Sequence, residues 1–140
     1  MDESTADAVL TAFRARTLPK VEWTHEAHLA VCWGWLHDHE VDETVDDLRA
    51  AIRSYNEVTG TANTETSGYH ETLTRYYVEA VAQFVDQPLS AVLSSPTCTR
   101  DAPILHWSRE LLFSAEARAK WVESDLATLP WAKSGAAVPA

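Results

Sequence analysis

Apolar residues recur along much of this chain at alternating steps of three and four, the spacing that places side chains on one face of an α-helix. The clearest run consists of Val45, Leu48, Ile52 and Tyr55. No segment shows the strict alternation of apolar and polar residues that is typical of a half-buried strand. The pattern predicts an all-α protein, a compact single-domain helical bundle of five to seven helices with short connections between antiparallel neighbours.

Capping and turn-forming residues set the expected boundaries of these helices. Thr24 is suited to cap the second helix and Asp42 the third, and Gly60 is a natural residue to end that third helix. The polar stretch 61–68 is predicted to be a loop. The expected helices span 4–16, 24–37, 42–60, 69–85, 88–93, 107–113 and 114–121, within one domain of residues 1–140 whose ends 1–3 and 131–140 should be frayed.

The charge of the chain limits the kinds of partner it can bind. Its 140 residues include 21 acidic and 11 basic ones, a formal net charge of −10, which argues against nucleic acid and anionic membranes. The start of the chain has no signal-peptide pattern and no stretch is apolar for long enough to span a bilayer, so a cytoplasmic protein is expected. Most of the basic residues are arginine, which leaves room for a local pocket that binds an anionic group.

Familiar cofactor motifs are missing from the sequence. It contains no nucleotide or flavin motif, no phosphate-binding loop and no nucleophile elbow. The two cysteines, Cys32 and Cys98, form no C-x-x-C pair, and Cys32 falls on an apolar helix face. A buried free thiol is therefore expected at Cys32.

Three histidines occupy positions where these helices should bury leucine. His25 and His28 are three residues apart and so are neighbours on one helix face, and His70 opens another apolar stripe. A titratable group in a core costs free energy unless it is paired, and such groups tend to cluster at functional sites. If the two helices pack face to face, the three imidazoles form one site; otherwise each is an ordinary core histidine with its own hydrogen bonds.

The position of these histidines near helix starts predicts their charge. The positive end of the helix dipole and burial both disfavour imidazolium, so neutral rings are expected. A neutral imidazole can act as a general base, accept a hydrogen bond from a substrate, or bind a metal ion. Three protein ligands with an open position are typical of a catalytic metal site, and imidazole suits Zn, Fe or Cu. The spacing of His25 and His28 differs from the H-E-x-x-H of zinc proteases, which excludes that class.

Neighbouring polar residues complete the candidate site. Glu71 and Thr74 follow His70 and are assigned a catalytic role, in which they orient an imidazole or relay a proton. The ordinary alternative for an arginine is a surface ion pair, and for an asparagine near a helix end it is a cap. The candidate substrate-binding residues are Arg53, Asn56, Tyr77 and Arg109.

The motifs around these residues resemble a family of small bacterial proteins for which no reaction is established, and the resemblance covers about residues 18–129. It implies a helical domain with a histidine-containing site. Because some similar small proteins accompany natural-product pathways, it also suggests a lyase or cyclase that acts on a small metabolite. The motifs are Trp23-Thr24-His25-x-x-His28-Leu29, Ile52-Arg53-x-Tyr55-Asn56, Gly68-Tyr69-His70-Glu71-Thr72-Leu73-Thr74, Leu112-Phe113-Ser114-x-Glu116-Ala117-Arg118 and Asp125-Leu126.

The leading hypothesis is a small helical enzyme that acts by histidine acid/base chemistry on a small polar or anionic metabolite. Elimination or cyclisation is favoured because the sequence has no redox cofactor motif. One alternative is a metal-dependent enzyme or metal-binding protein in which His25, His28 and His70 hold a single Zn, Fe or Cu ion. Another is a non-catalytic binding module or partner subunit, either as a homo-oligomer or in a complex with another protein of a pathway.

Overall fold

The computed structural model describes residues 1–132 and shows an all-α domain, which confirms the predicted fold class. None of the helices in this range combines the length and the apolar character that crossing a membrane requires. Of the ends expected to be frayed, Glu3 lies in the first helix and Trp131 donates a hydrogen bond to Glu79, whereas residues 133–140 lie outside the described residues. The α-helices are α1 (Glu3–Arg14), α2 (His25–Leu36), α3 (Val41–Thr59), α4 (Glu71–Ala82), α5 (Leu89–Leu93), α6 (Arg109–Leu112) and α7 (Ala115–Ala119).

The second helix, α2, lies at the centre of the bundle. Thr24 caps it by accepting a hydrogen bond from the backbone N–H of Ala27, as the sequence predicts. Apolar residues occupy all of its faces, and it packs against α1, α3, α4 and α5. Trp33 is buried, and its indole N–H donates to the carbonyl of Gln87. The histidines at the start of α2 are therefore held by a helix that is enclosed on all sides.

The third helix shows how capping sets a boundary. It begins at Val41, ahead of the predicted cap Asp42, because Glu40 and Glu43 form a reciprocal capping box. Its end at Gly60 is as predicted, and there the backbone has φ 89°, a left-handed conformation that favours glycine. α3 then packs along α4, which it helps to position.

The chain after α5 wraps across one face of α4. The fully buried hydroxyl of Thr72 donates to the carbonyls of Ala117 and Lys120, and Trp107 is fully buried nearby. These contacts hold α6 and α7 beside the start of α4. As a result, the segment 100–113 closes over the space between α2 and α4.

Several of the later helices are shorter than their apolar patterns predict. Ser108 and Ser114 each accept a hydrogen bond from the backbone N–H three residues ahead, so α6 and α7 begin separately after these caps. α4 begins at Glu71 and not at Tyr69, because the imidazole of His70 serves as its N-cap. A histidine expected inside a helix thus lies at its boundary.

Candidate functional site

A cavity of about 560 Å³ lies between α2, the start of α4 and the segment 100–113. His25, His28 and His70 all line it, so the fold brings the three histidines to one place. A pocket of this size, with mainly apolar walls and a few polar groups, is typical of a small-molecule site. The apolar walls are formed by Val31, Cys32, Leu48, Ile52, Leu73 and Leu112.

His28 offers a free imidazole nitrogen to this cavity. Its Nδ1–H donates to the carbonyl of Thr24 (2.9 Å), and the ring stacks on Trp23 with centroids 3.8 Å apart. Nε2 is then an unprotonated acceptor, to which none of the described residues donates. Burial, with smaller contributions from His25 and Arg100, lowers the pKa of His28 to about 4 against the opposing hydrogen bond to Thr24. His28 is therefore neutral at pH 7.

His25 and Tyr77 fasten a neighbouring loop to the cavity wall. His25 Nε2–H donates to the carbonyl of Cys98 (2.7 Å), and the Tyr77 hydroxyl donates to the carbonyl of Thr99 (2.8 Å). The two rings meet edge to face, with centroids 5.1 Å apart. Burial raises the pKa of Tyr77, so its engaged hydroxyl stays protonated in the neutral range. His25 keeps its Nδ1 lone pair, whereas Tyr77 contributes a ring wall.

His70 is a structural link between distant parts of the chain. Its Nδ1 accepts from the backbone N–H of Leu73 (3.1 Å), and its Nε2–H donates to the carbonyl of Leu112 (2.7 Å). Burial lowers the pKa of His70 and the charge of Arg118 adds to this effect, so the ring is neutral at pH 7. A base or a metal ligand needs a ring nitrogen with a free lone pair. In His70 both ring nitrogens are hydrogen-bonded to the backbone, so the ring cannot take the predicted role in this conformation.

The predicted metal site requires three imidazole nitrogens directed at one ion. Within residues 1–132, no group of three His, Cys, Asp or Glu side chains is arranged to hold a metal ion. Both nitrogens of His70 are hydrogen-bonded, and the Nε2–H of His25 donates to a backbone carbonyl, so that nitrogen has no free lone pair. The three histidines therefore do not fit the single Zn, Fe or Cu ion that their sequence pattern suggests.

Glu71 is a buried carboxylate that pairs with half-exposed Arg49, and it is not among the described residues that line the cavity. Arg49 donates to its carboxylate through Nε (2.8 Å) and Nη2 (2.7 Å), and the Tyr69 hydroxyl donates to Oε1. Burial alone would raise the pKa of Glu71, but the hydrogen bonds from Arg49 and Tyr69 outweigh burial and hold the pKa below its ordinary value. Glu71 thus joins α4 to α3, away from the cavity that the histidines line, and the structure does not bring it together with them as the predicted catalytic role requires.

The other predicted residues divide between the cavity and its surroundings. Thr74 and Arg109 line the cavity with the histidines. The side-chain amide of Asn56 donates to Asn63 in the loop after α3, and its backbone carbonyl accepts the hydrogen bond from Gly60 that ends the helix, so both contacts are structural. Arg53 lies outside the cavity, where its guanidinium carbon is 6.0 Å from the ring centroid of Tyr69. Asn56 and Arg53 are therefore not substrate-binding residues of this cavity.

Two residues at the cavity mouth were not predicted from the sequence. Arg100 and Asp101 belong to a segment expected to be a plain loop, and both line the cavity together with Arg109. Neither arginine forms an ion pair within the described part of the chain. No local pattern marks Arg100, because it reaches the cavity through the hydrogen bond between Tyr77 and the preceding Thr99.

Comparison of the chain with protein-family models, with curated proteins and with solved structures gives no significant match. The resemblance to a family of small bacterial proteins stays a prediction from the motifs. The site is therefore interpreted from its own geometry and charge. Three features define it: the free Nε2 of His28, the mainly apolar walls, and the arginines at the mouth.

Proposed function

We propose that this protein is a small helical enzyme that binds an anionic metabolite with an apolar body and acts on it through His28. The observation that carries the proposal is the free, neutral imidazole of His28 in an otherwise mainly apolar cavity whose mouth carries Arg100 and Arg109. A lyase or cyclase that uses acid/base chemistry fits this arrangement.

The two arginines support an anionic group on the substrate. In a chain with a formal net charge of −10, most arginines are expected to pair with acids, as Arg49 and Arg75 do. Arg100 and Arg109 instead line the exposed mouth, and no described carboxylate pairs with either of them. A guanidinium binds carboxylate or phosphate with two parallel hydrogen bonds. A substrate whose anionic group binds the arginines at the mouth would place its apolar part inside the cavity.

His28 supplies the acid/base function in this proposal. In an elimination, Nε2 takes a proton from the carbon adjacent to the one that bears the leaving group, the electron pair of that C–H bond forms the double bond as the bond to the leaving group breaks, and the imidazolium returns the proton to the departing group. Its pKa of about 4 makes the free imidazole a weak base, but an anion bound nearby favours imidazolium and raises that pKa. Substrate binding would thus strengthen the base that acts on the substrate.

Cys32 is the other reactive group in the cavity wall. Burial raises the pKa of its thiol to about 12, and the nearby Cys98 adds to this effect. The thiol therefore stays protonated at neutral pH and is not a nucleophile. Both cysteines are free and buried, and the expectation of a buried thiol at Cys32 is confirmed.

A non-catalytic binding module is the second candidate, and the low pKa of His28 favours it. A neutral imidazole that is a weak base still accepts a hydrogen bond from a ligand hydroxyl or amide. In that case the same cavity would hold the ligand without changing it. The two candidates share the binding chemistry and differ only in turnover.

The charge of the ligand can be tested with small probes of equal length. Hexanoate and hexyl phosphate should bind in the cavity, and hexanol should bind more weakly because it lacks the charge that the arginines contact. The Arg100→Gln/Arg109→Gln double variant should bind the two anions at least about tenfold more weakly, because it has lost the charge-assisted hydrogen bonds of both guanidinium groups. The measurement is a titration followed by NMR shifts of the residues that line the cavity.

Arg53→Gln is the matched control for this titration, because Arg53 has the same charge and lies in another pocket. It should leave hexanoate binding unchanged. If hexanol binds as tightly as hexanoate, or if the double variant binds both anions like the wild type, the anionic-substrate proposal is wrong.

A further inference from the structure

A second pocket of about 290 Å³ lies between α3, the loop 60–70 and α7, separate from the histidine cavity. Arg53 from α3 and Arg118 from α7 line it together with Tyr69. We propose that this pocket binds a small phosphate-type dianion, either inorganic phosphate or the phosphate group of a small metabolite. This proposal is independent of the function proposed for the histidine cavity.

Arg118 is positioned by the backbone and not by an acid. Its Nη1 donates to the carbonyls of Gly68 (3.0 Å) and Tyr69 (3.3 Å). Its Nε is buried and has no hydrogen-bond partner in the part of the chain that the structure describes. A buried donor without a partner costs free energy. The described residues supply neither an acceptor for this Nε nor a negative charge that compensates the guanidinium. The backbone carbonyls hold the group in place while its positive charge stays uncompensated.

Arg53 provides a second positive charge at this pocket. Its side chain is exposed, and its guanidinium carbon lies 6.0 Å from the ring centroid of Tyr69. Among residues 1–132, no carboxylate pairs with Arg53 or Arg118. Two guanidinium groups that line one pocket match a dianion better than a single carboxylate, because together they supply two positive charges.

Glu65 also lines this pocket and makes a useful probe of ligand charge. Its carboxylate forms no ion pair with either arginine within the described range. A bound dianion would be repelled by Glu65, whereas a ligand with an ammonium group would be attracted to it. The sign of the effect of Glu65→Gln therefore distinguishes an anion from a zwitterion.

The test is a titration of the full chain with inorganic phosphate and with glycerol 3-phosphate at constant ionic strength, followed by the amide shifts of Tyr69 and Ala119, which line this pocket and not the histidine cavity. Saturation in the millimolar range or below is expected for one or both probes, and the tighter of the two identifies the source of the phosphate group. Arg53→Gln should weaken binding about tenfold. Glu65→Gln should strengthen it about two- to fivefold.

Arg118→Gln removes contacts to the backbone as well as a charge, so Arg53→Gln and Glu65→Gln are the decisive variants. Arg16→Gln is the matched control, because Arg16 is an exposed arginine that lines neither pocket, and its replacement should leave phosphate binding unchanged. The proposal is overturned if neither probe saturates, if Arg53→Gln binds like the wild type, or if Glu65→Gln weakens binding.

Discussion

Replacement of His70 by alanine should lower the free energy of unfolding by about 2–4 kcal/mol, the sum of a lost N-cap and a buried carbonyl left without its donor. The imidazole makes both contacts at once, to the backbone N–H of Leu73 and to the carbonyl of Leu112. Its loss separates the start of α4 from the end of α6. Urea unfolding at pH 7 measures the change.

Two variants make this result specific. His70→Asn should lose about half as much stability, because asparagine is a good N-cap but is too short to reach Leu112. His28→Leu should change stability by no more than about 1 kcal/mol, because the carbonyl that loses the His28 side chain still accepts a backbone N–H. Wild-type stability in His70→Ala, or equal losses in the alanine and asparagine variants, would contradict the assignment of His70 as a structural link.

The stability of the protein should fall steeply as the pH drops from about 6.5 toward 4. In the unfolded chain, a histidine binds a proton near its ordinary pKa of 6.5, whereas folded His28 has a pKa of about 4. Between these values only the unfolded state is protonated, and each such histidine lowers the free energy of unfolding by about 1.4 kcal/mol per pH unit. The contribution is complete above pH 6.5, and for half-buried His28 a loss of about 2–3 kcal/mol is expected.

His70 acts in the same direction, because its pKa is also lowered by burial. Glu71 makes stability depend on pH only near and below the ordinary carboxyl pKa of 4.5. Between pH 6.5 and 5, the change in the free energy of unfolding therefore reports the histidines and not Glu71. Urea unfolding at half-unit steps through that window measures the slope, and His28→Leu should reduce it. A flat profile, or an unchanged slope in His28→Leu, would show that His28 is not held neutral by the fold.

The helices could be predicted because their information is local. The apolar steps of α3, the cap at Thr24 and the stop at Gly60 all lie within a few residues of the boundary they set. The shared cavity of His25 and His28 follows from the same logic, because residues three apart on one helix are neighbours.

The roles of individual site residues depend on partners that are distant in the sequence. The helical pattern places His70 on an apolar face, but its second hydrogen bond is donated to a carbonyl 42 residues later. Likewise, Glu71 is engaged by Arg49, which lies 22 residues earlier. Arg100 lies at the cavity beside Tyr77, whose hydroxyl contacts the carbonyls of Thr99 and Arg100 more than 20 residues later. Contacts between residues so far apart produce no periodic pattern in the sequence. Composition and spacing therefore identified the histidines but could not show that His28 has a free ring nitrogen and that His70 is structural.

The most direct test of the proposed site is the nitrogen NMR spectrum of His28, recorded alone and with hexanoate. We expect the Nδ1–H tautomer at pH 7, a titration near pH 4 in the free protein, and a rise in that pKa of about one unit when hexanoate binds at the cavity mouth. His25→Gln serves as a control that assigns the signal and leaves the His28 tautomer unchanged. An Nε2–H tautomer, or a His28 pKa that stays the same at saturating hexanoate, would contradict the proposal that His28 is the free base beside a bound anion.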